Sequence, residues 1–342
     1  MYFIWWVPGR GIFLYYLGFS NGKLYKAEGI YPPPPPPREG SGVGNEAIQF
    51  IFHKIQRIYP PYLLAFVMTF VLRQYIAHVS FKELLKNMLL TWSELSFLRL
   101  SGIIEQIYNS PTWYLSAMFI AMLIIYPLLR TKRNLYQNCI APLLCIFIYG
   151  YFSQTYHFIA VVTQWTGLAL CGVLRAIAGL SLGTICFSIV EFLRKISFKR
   201  TKTIRFLFWI LEIYSLTVIL LLMHLTKRGI KFRSNLDFTT VLFIALLVIL
   251  IFEENQLFNI SYSESYKKWC VFLGKYSVSV YLNQRFSLDF VNYFCQGQSA
   301  FVMITFYLLL SAFLALISMA ILRILKEPFQ IWGRDIKNFL LE

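Results

Sequence analysis

The run His53-Lys54-Ile55-Gln56-Arg57-Ile58-Tyr59-Pro60-Pro61-Tyr62, inside Phe50–Arg73, decides how the rest of the chain is read. Three basic-type side chains lie within five residues, a double proline follows, and Tyr62 to Leu72 is then apolar. This pattern predicts a polar anchor at a membrane surface feeding a transmembrane helix. Pro60 and Pro61 are expected in that helix's first turn, where a missing N–H costs least.

Composition extends the reading to the whole chain. Of 342 residues, 58% are apolar and 14% charged, whereas a soluble domain carries about a quarter charged residues. No repeated ten-residue alternating segments suggest a barrel, so the fold class is all-α: a polytopic membrane helix bundle. The formal charge of +16 does not imply nucleic acid, because the basic residues cluster at helix ends. The six cysteines are scattered, mostly within apolar runs where thiols behave as small hydrophobes. No CxxC or His-rich spacing suggests a metal, and no bound cofactor is expected.

Three regions follow: a divergent N-terminal segment at 1–49, a membrane domain at 50–326 and a cytoplasmic tail at 327–342. Residues 1–19 are aromatic but interrupted by Pro8-Gly9-Arg10-Gly11, and they lack the roughly 20 apolar residues of a span. Pro32–Pro37 would form a stiff polyproline II rod of about 19 Å, and 28–46 is expected to be unstructured.

Eight spans are expected, at about 60–79, 112–130, 136–152, 174–193, 205–226, 237–253, 276–292 and 301–324. Basic groups before the first span, between the second and third, between the fourth and fifth, before the seventh and after the eighth share one face, which is therefore cytoplasmic. Lys227, Arg228, Lys231 and Arg233 fall on the other face. Phe81–Leu100 reads as an amphipathic helix on the outer surface, and 157–173 as a loop. This orientation makes a prediction. In a cysteine-free background, Ser197→Cys and Leu341→Cys should resist an impermeant thiol reagent applied to intact cells. Labelling of both from outside would overturn the topology.

Four stretches then carry a resemblance. They are Gln56-Arg57-Ile58-Tyr59-Pro60-Pro61-Tyr62-Leu63; Asn109-Ser110-Pro111-Thr112-Trp113-Tyr114-Leu115-Ser116 with Ile124-Ile125-Tyr126-Pro127-Leu128-Leu129; Leu174 to Gly183 (LRAIAGLSLG); and Leu273 to Asn283 (LGKYSVSVYLN). In this order they resemble the acyltransferase-3 family of integral membrane enzymes that O-acylate carbohydrates. The resemblance covers about residues 50–325. It implies ten spans, acyl-coenzyme A as donor substrate and a carbohydrate acceptor. It also implies an Arg and, about ten residues on, a His in the first helix; residues 1–50 contain no His. Met118 stands where some members carry Glu, and Gln284 where many carry His. The expectation is a membrane acyltransferase-like protein that transfers an acyl group, acetyl by preference, to a cell-surface glycan or its precursor. It is inactive if the catalytic helix is absent. The alternative is a polytopic transporter of a carbohydrate or lipid-linked sugar.

No catalytic residue is assigned. Taking a proton from an alcohol suits His, which titrates near neutrality, and donor phosphates suit Arg or Lys. His53, Lys54 and Arg57 are the donor-binding candidates, with His53 and Arg57 at i and i+4; their plainer reading is an interfacial basic cluster. Glu212 lies roughly 12 Å into its span. An acid at that depth is a site candidate, or a carboxyl hydrogen-bonded within the bundle. Arg175 either binds an acidic or sugar group or snorkels to the surface. Trp113 and Tyr281 either stack on a sugar or pack at the interface. Asn283 closes the last motif and joins the substrate-binding candidates. The expected partners are acyl-coenzyme A, the carbohydrate and membrane lipids, with no nucleic acid. The expected location is the cell membrane, multi-pass, with a cytoplasmic C-terminus.

Overall fold

A computed structural model describes residues 43–91, 95, 108, 112–159, 161, 164–167, 169–195, 202–227, 236–252 and 264–324. Among them there are nine helices: α1 (Val43–Ile76), α2 (Phe81–Leu90), α3 (Trp113–Thr131), α4 (Arg133–Thr155, with a π-turn at Tyr136–Ile140), α5 (Cys171–Lys195), α6 (Lys202–Lys227), α7 (Leu236–Phe252), α8 (Glu264–Phe294) and α9 (Ala300–Ile324). The described residues contain no strand beyond an isolated bridge between Trp165 and Leu170. All helices but α2 fall on the eight expected spans. The structure is an all-α membrane helix bundle.

By length and apolarity α3, α4, α5 and α9 qualify as membrane crossings by themselves, and the two halves of α1 together make a fifth. The apolar runs of α6 and α7 are shorter, Phe206–Leu222 and Leu236–Leu250. α8 carries Lys275, Arg285 and Asp289. Interior polar residues lower a span's mean hydropathy without moving the helix out of the bilayer.

α1 corrects two expectations. The helix begins at Val43, so residues 43–46 are helical rather than unstructured. Pro60 and Pro61 lie inside the helix, which bends by 44° between Gly44–Gln56 and Ile58–Ile76. The bend falls where the proline rings would meet the carbonyls of Gln56 and Arg57 four residues earlier. The prolines thus occupy the first turn of the second half only. The stretch expected as a loop, 157–173, connects α4 to α5 up to Cys171, with Gly167 at φ 85°. α2 is shorter than the amphipathic stretch expected, and most of 92–107 lies outside the described residues. Its start is a capping box, in which the Ser80 hydroxyl accepts from the Glu83 N–H and the Glu83 carboxylate accepts from the Ser80 N–H.

The chain divides into two compact units, Met1–Ile48 with Met118–Lys268 and Gln49–Ala117 with Trp269–Glu342. In the first, α4 packs on α5, α5 on α7 and α7 on α6. Its core gathers Ile148, Phe152, Val161, Cys171 and Ala178, and a second patch joins Cys186 to Val248. Small residues let these backbones approach without a hydrophobic drive between helices. The Cys145 thiol donates to the Ala178 carbonyl at 3.4 Å and Cys186 to Ala245 at 3.8 Å.

In the second unit α8 and α9 present small polar residues to their interior. Ser279, Asn283 and Ser287 are buried at four-residue spacing, and Ser311, Ala315 and Ser318 on α9 at spacings of four and three. The opposite side of α9 exposes Phe301, Leu308, Leu309 and Phe313. On α1, Tyr62, Phe66 and Thr69 are buried while Val67, Val71 and Tyr75 are exposed. A helix apolar all round with one buried stripe has its other side against lipid.

Candidate functional site

The candidate residues fall in both units. His53 is exposed, with Nδ1 donating to the Gln49 carbonyl at 2.6 Å, which ties the ring to its own helix. Lys54 Nζ sits 4.9 Å from the centre of the Phe50 ring. The Arg57 side chain lies outside the described residues, so the i and i+4 pairing with His53 has no description. Trp113 and Tyr281 are buried at 4% and 7% exposure, so neither ring faces solvent as a stacking platform.

Asn283 is buried on α8. Its amide nitrogen donates to the Ser279 carbonyl at 2.8 Å and to Ser318 Oγ on α9 at 3.0 Å. Among the described residues its Oδ1 has no hydrogen-bond partner, and neither does buried Ser311 Oγ. Two unmet polar atoms inside apolar helices are costly, about 1–3 kcal/mol each, and suit a hydroxyl-bearing ligand or water.

In the first unit Glu212 is 1% exposed and shares one face of α6 with Ser215, Ile219 and Leu222, a three-and-four spacing. Ser215 Oγ has no partner. Arg175 is 9% exposed near the start of α5. Met118, where some family members carry Glu, is buried as an apolar residue.

Two polar clusters went unmarked in the sequence. In the second unit Asp289 accepts from Arg73 Nε at 2.6 Å and from Arg285 Nε at 3.2 Å, with Arg285 Nη2 on its other oxygen at 3.1 Å. Beside Arg73, buried Gln74 accepts from Asn87 at 2.8 Å and donates to the Tyr108 hydroxyl at 3.4 Å, tying α2 to α1. In the first unit Arg133 donates to Gln137 Oε1 at 3.1 Å and to Glu191 at 2.9 Å, while Arg130 donates to Glu46 at 3.3 Å. Buried Tyr136 and Ser181 share a hydroxyl–hydroxyl hydrogen bond of 2.8 Å between α4 and α5. The readable signals were local ones: Arg285 and Asp289 at i and i+4, Arg133 and Gln137 likewise, and an arginine inside the first span.

Among the described residues no group of three or more His, Cys, Asp or Glu side chains could hold a metal.

The profile of a known family, described as an acyltransferase domain (acyltransferase-3), matches residues 42–323. The chain belongs to this family. The match begins one residue before α1 and ends in the last turn of α9, so it takes in every described helix. It supports a membrane acyltransferase in general terms. Searches of curated proteins and of solved structures find no match to this chain.

Proposed function

We propose that this chain carries the scaffold of an acyltransferase that moves a short acyl group, acetyl by preference, from acyl-coenzyme A to a hydroxyl of a cell-surface carbohydrate or its precursor, and that it is inactive where the family's catalytic first helix is absent. The observation that carries the reading is the family match across all the described helices. Donor binding falls to the basic face of α1, with Lys54 and Arg57 on the phosphates and His53 beside them. The acceptor-binding candidates are, in the first unit, the buried polar Glu212 and Arg175 and, in the second, Asn283 with Trp113 and Tyr281 as apolar rings. The protein sits in the cell membrane with its C-terminus in the cytoplasm, where acyl-coenzyme A is available.

A carbohydrate transporter is the competing reading. Transporters built from repeats break helices in matched pairs. Among the described residues one helix, α1, is a bent pair of this kind, which favours the enzyme.

The test is donor affinity. On folded protein, Arg57→Lys should weaken acetyl-coenzyme A binding about 5- to 150-fold, the equivalent of about 1–3 kcal/mol for a charge-assisted contact. Lysine keeps the charge and loses the planar fork. Unchanged affinity would reduce this cluster to an interfacial anchor.

A further inference from the structure

α4 does not start as a regular helix. Over Tyr136–Ile140 it winds as a π-turn, and the Ala141 N–H reaches back five residues to the Tyr136 carbonyl. Pro142 is the cause: it has no N–H for the Asn138 carbonyl, and its ring would press on that carbonyl in a straight α-helix. Gln137, in the π-turn, is 7% exposed and shares the buried face of Ala141, Cys145, Ile148 and Phe152.

The orientation of the Gln137 amide is fixed by chemistry. Arg133 Nε can only donate, so the atom 3.1 Å away is the amide oxygen. The other end, Nε2, is therefore a buried NH₂ group, and among the described residues it has no hydrogen-bond partner. A buried donor left unmet is destabilising by about 1–3 kcal/mol, which marks a place where a ligand's acceptor oxygen would be favoured.

We propose that Gln137 is a donor-binding residue whose amide takes a carbonyl oxygen of the pantetheine arm of acyl-coenzyme A. This rests on the acyl-coenzyme A reading above. Gln137 lies about 6 Å along the helix from Arg133, inward from Lys132 and Arg133, in the loop that the Lys and Arg distribution assigns to the cytoplasm. Here the phosphates fall to the rim of the same unit, Lys132 and Arg133, as the alternative to Lys54 and Arg57. The neutral amide, one turn deeper, suits a neutral carbonyl, because a buried phosphate would demand a countercharge there. The Arg133–Glu191 ion pair positions the amide by holding its oxygen.

The experiment measures the affinity of folded protein for two probes, coenzyme A and adenosine 3′,5′-bisphosphate, which lacks the pantetheine arm. Gln137→Leu should weaken coenzyme A binding about tenfold and leave the bisphosphate unchanged. Its melting temperature should stay near that of the parent, because the unmet NH₂ and the oxygen that accepts from Arg133 Nε are lost together. Gln137→Glu keeps an oxygen for Arg133 and loses the NH₂, so it should show the same selective loss and covers the case in which the leucine variant fails to fold. Unchanged coenzyme A affinity in both variants, or equal loss for both probes, would overturn the assignment. If the parent protein binds coenzyme A with the arm making no difference, the site falls and the donor reading stands. If it binds neither probe, both fall.

Discussion

Asp289→Ala is expected to be among the most destabilising single changes in the second unit. Its carboxylate takes Arg73 on one oxygen and Arg285 on both, and its side chain is 13% exposed. Removing one partner of a largely buried ion pair costs about 3–5 kcal/mol, because the remaining charge is left without its counterion. The arginines are 25% and 29% exposed, which moves the expectation to the lower end, about 3 kcal/mol. In a detergent melt this corresponds to a fall of roughly 5–10 °C. Adding Arg285→Met to Asp289→Ala should recover part of the loss, since one uncompensated guanidinium is then removed. An Asp289→Ala protein that melts with the parent would mean that the arginines are satisfied without this carboxylate. Arg73→Lys should cost less than Asp289→Ala, because it retains the charge at the carboxylate while losing the fork.

That cluster also shows where sequence reading stops. Arg285 and Asp289 sit one helical turn apart and are legible as a pair. Arg73 is 216 residues away from Asp289, and no periodicity marks such a contact. The same holds for Glu46 and Arg130, 84 residues apart. A segment with Gly44 and Asn45 just beyond a polyproline run looks like linker, yet Ala47 and Ile51 are buried and the helix starts at Val43. Long apolar runs were readable because a bilayer demands a minimum length of helix, and all eight expected spans contain one. The π-turn was readable in principle from Pro142, as the bend in α1 was from Pro60 and Pro61. The candidate site was less legible. Glu212 and Asn283 stood out as polar residues within apolar stretches, and both are buried. Trp113 opens α3 and Tyr281 lies midway along α8; such rings serve equally as ligand platform and as packing, and their burial favours packing.

The chain itself should transfer acyl groups at a rate near background. Its four histidines are His53, His78, His157 and His224. A general base must come within about 3 Å of the hydroxyl proton, and it contributes about 10²–10⁴ in rate. His53 is exposed and has one ring nitrogen committed to Gln49. His78 and His157 are exposed in the turns after α1 and α4, at φ 49° and 61°. The His224 side chain lies outside the described residues. None of the three described rings is buried among the helices, where Glu212, Arg175 and Asn283 are. The resemblance places the family's His on a first helix with an Arg about ten residues before it, and residues 1–50 carry no His. The test compares this 342-residue chain with a version in which the family's two first helices are joined ahead of Val43, the observed start of α1. Both are assayed for acetyl-coenzyme A hydrolysis and for transfer to a carbohydrate acceptor. The joined version should be faster by about 10²–10⁴, while the two bind coenzyme A alike, because the donor-binding candidates on α1 and α4 are common to both. Equal turnover would refute this account, and His53→Ala, His157→Ala and His224→Ala would then identify the base in use.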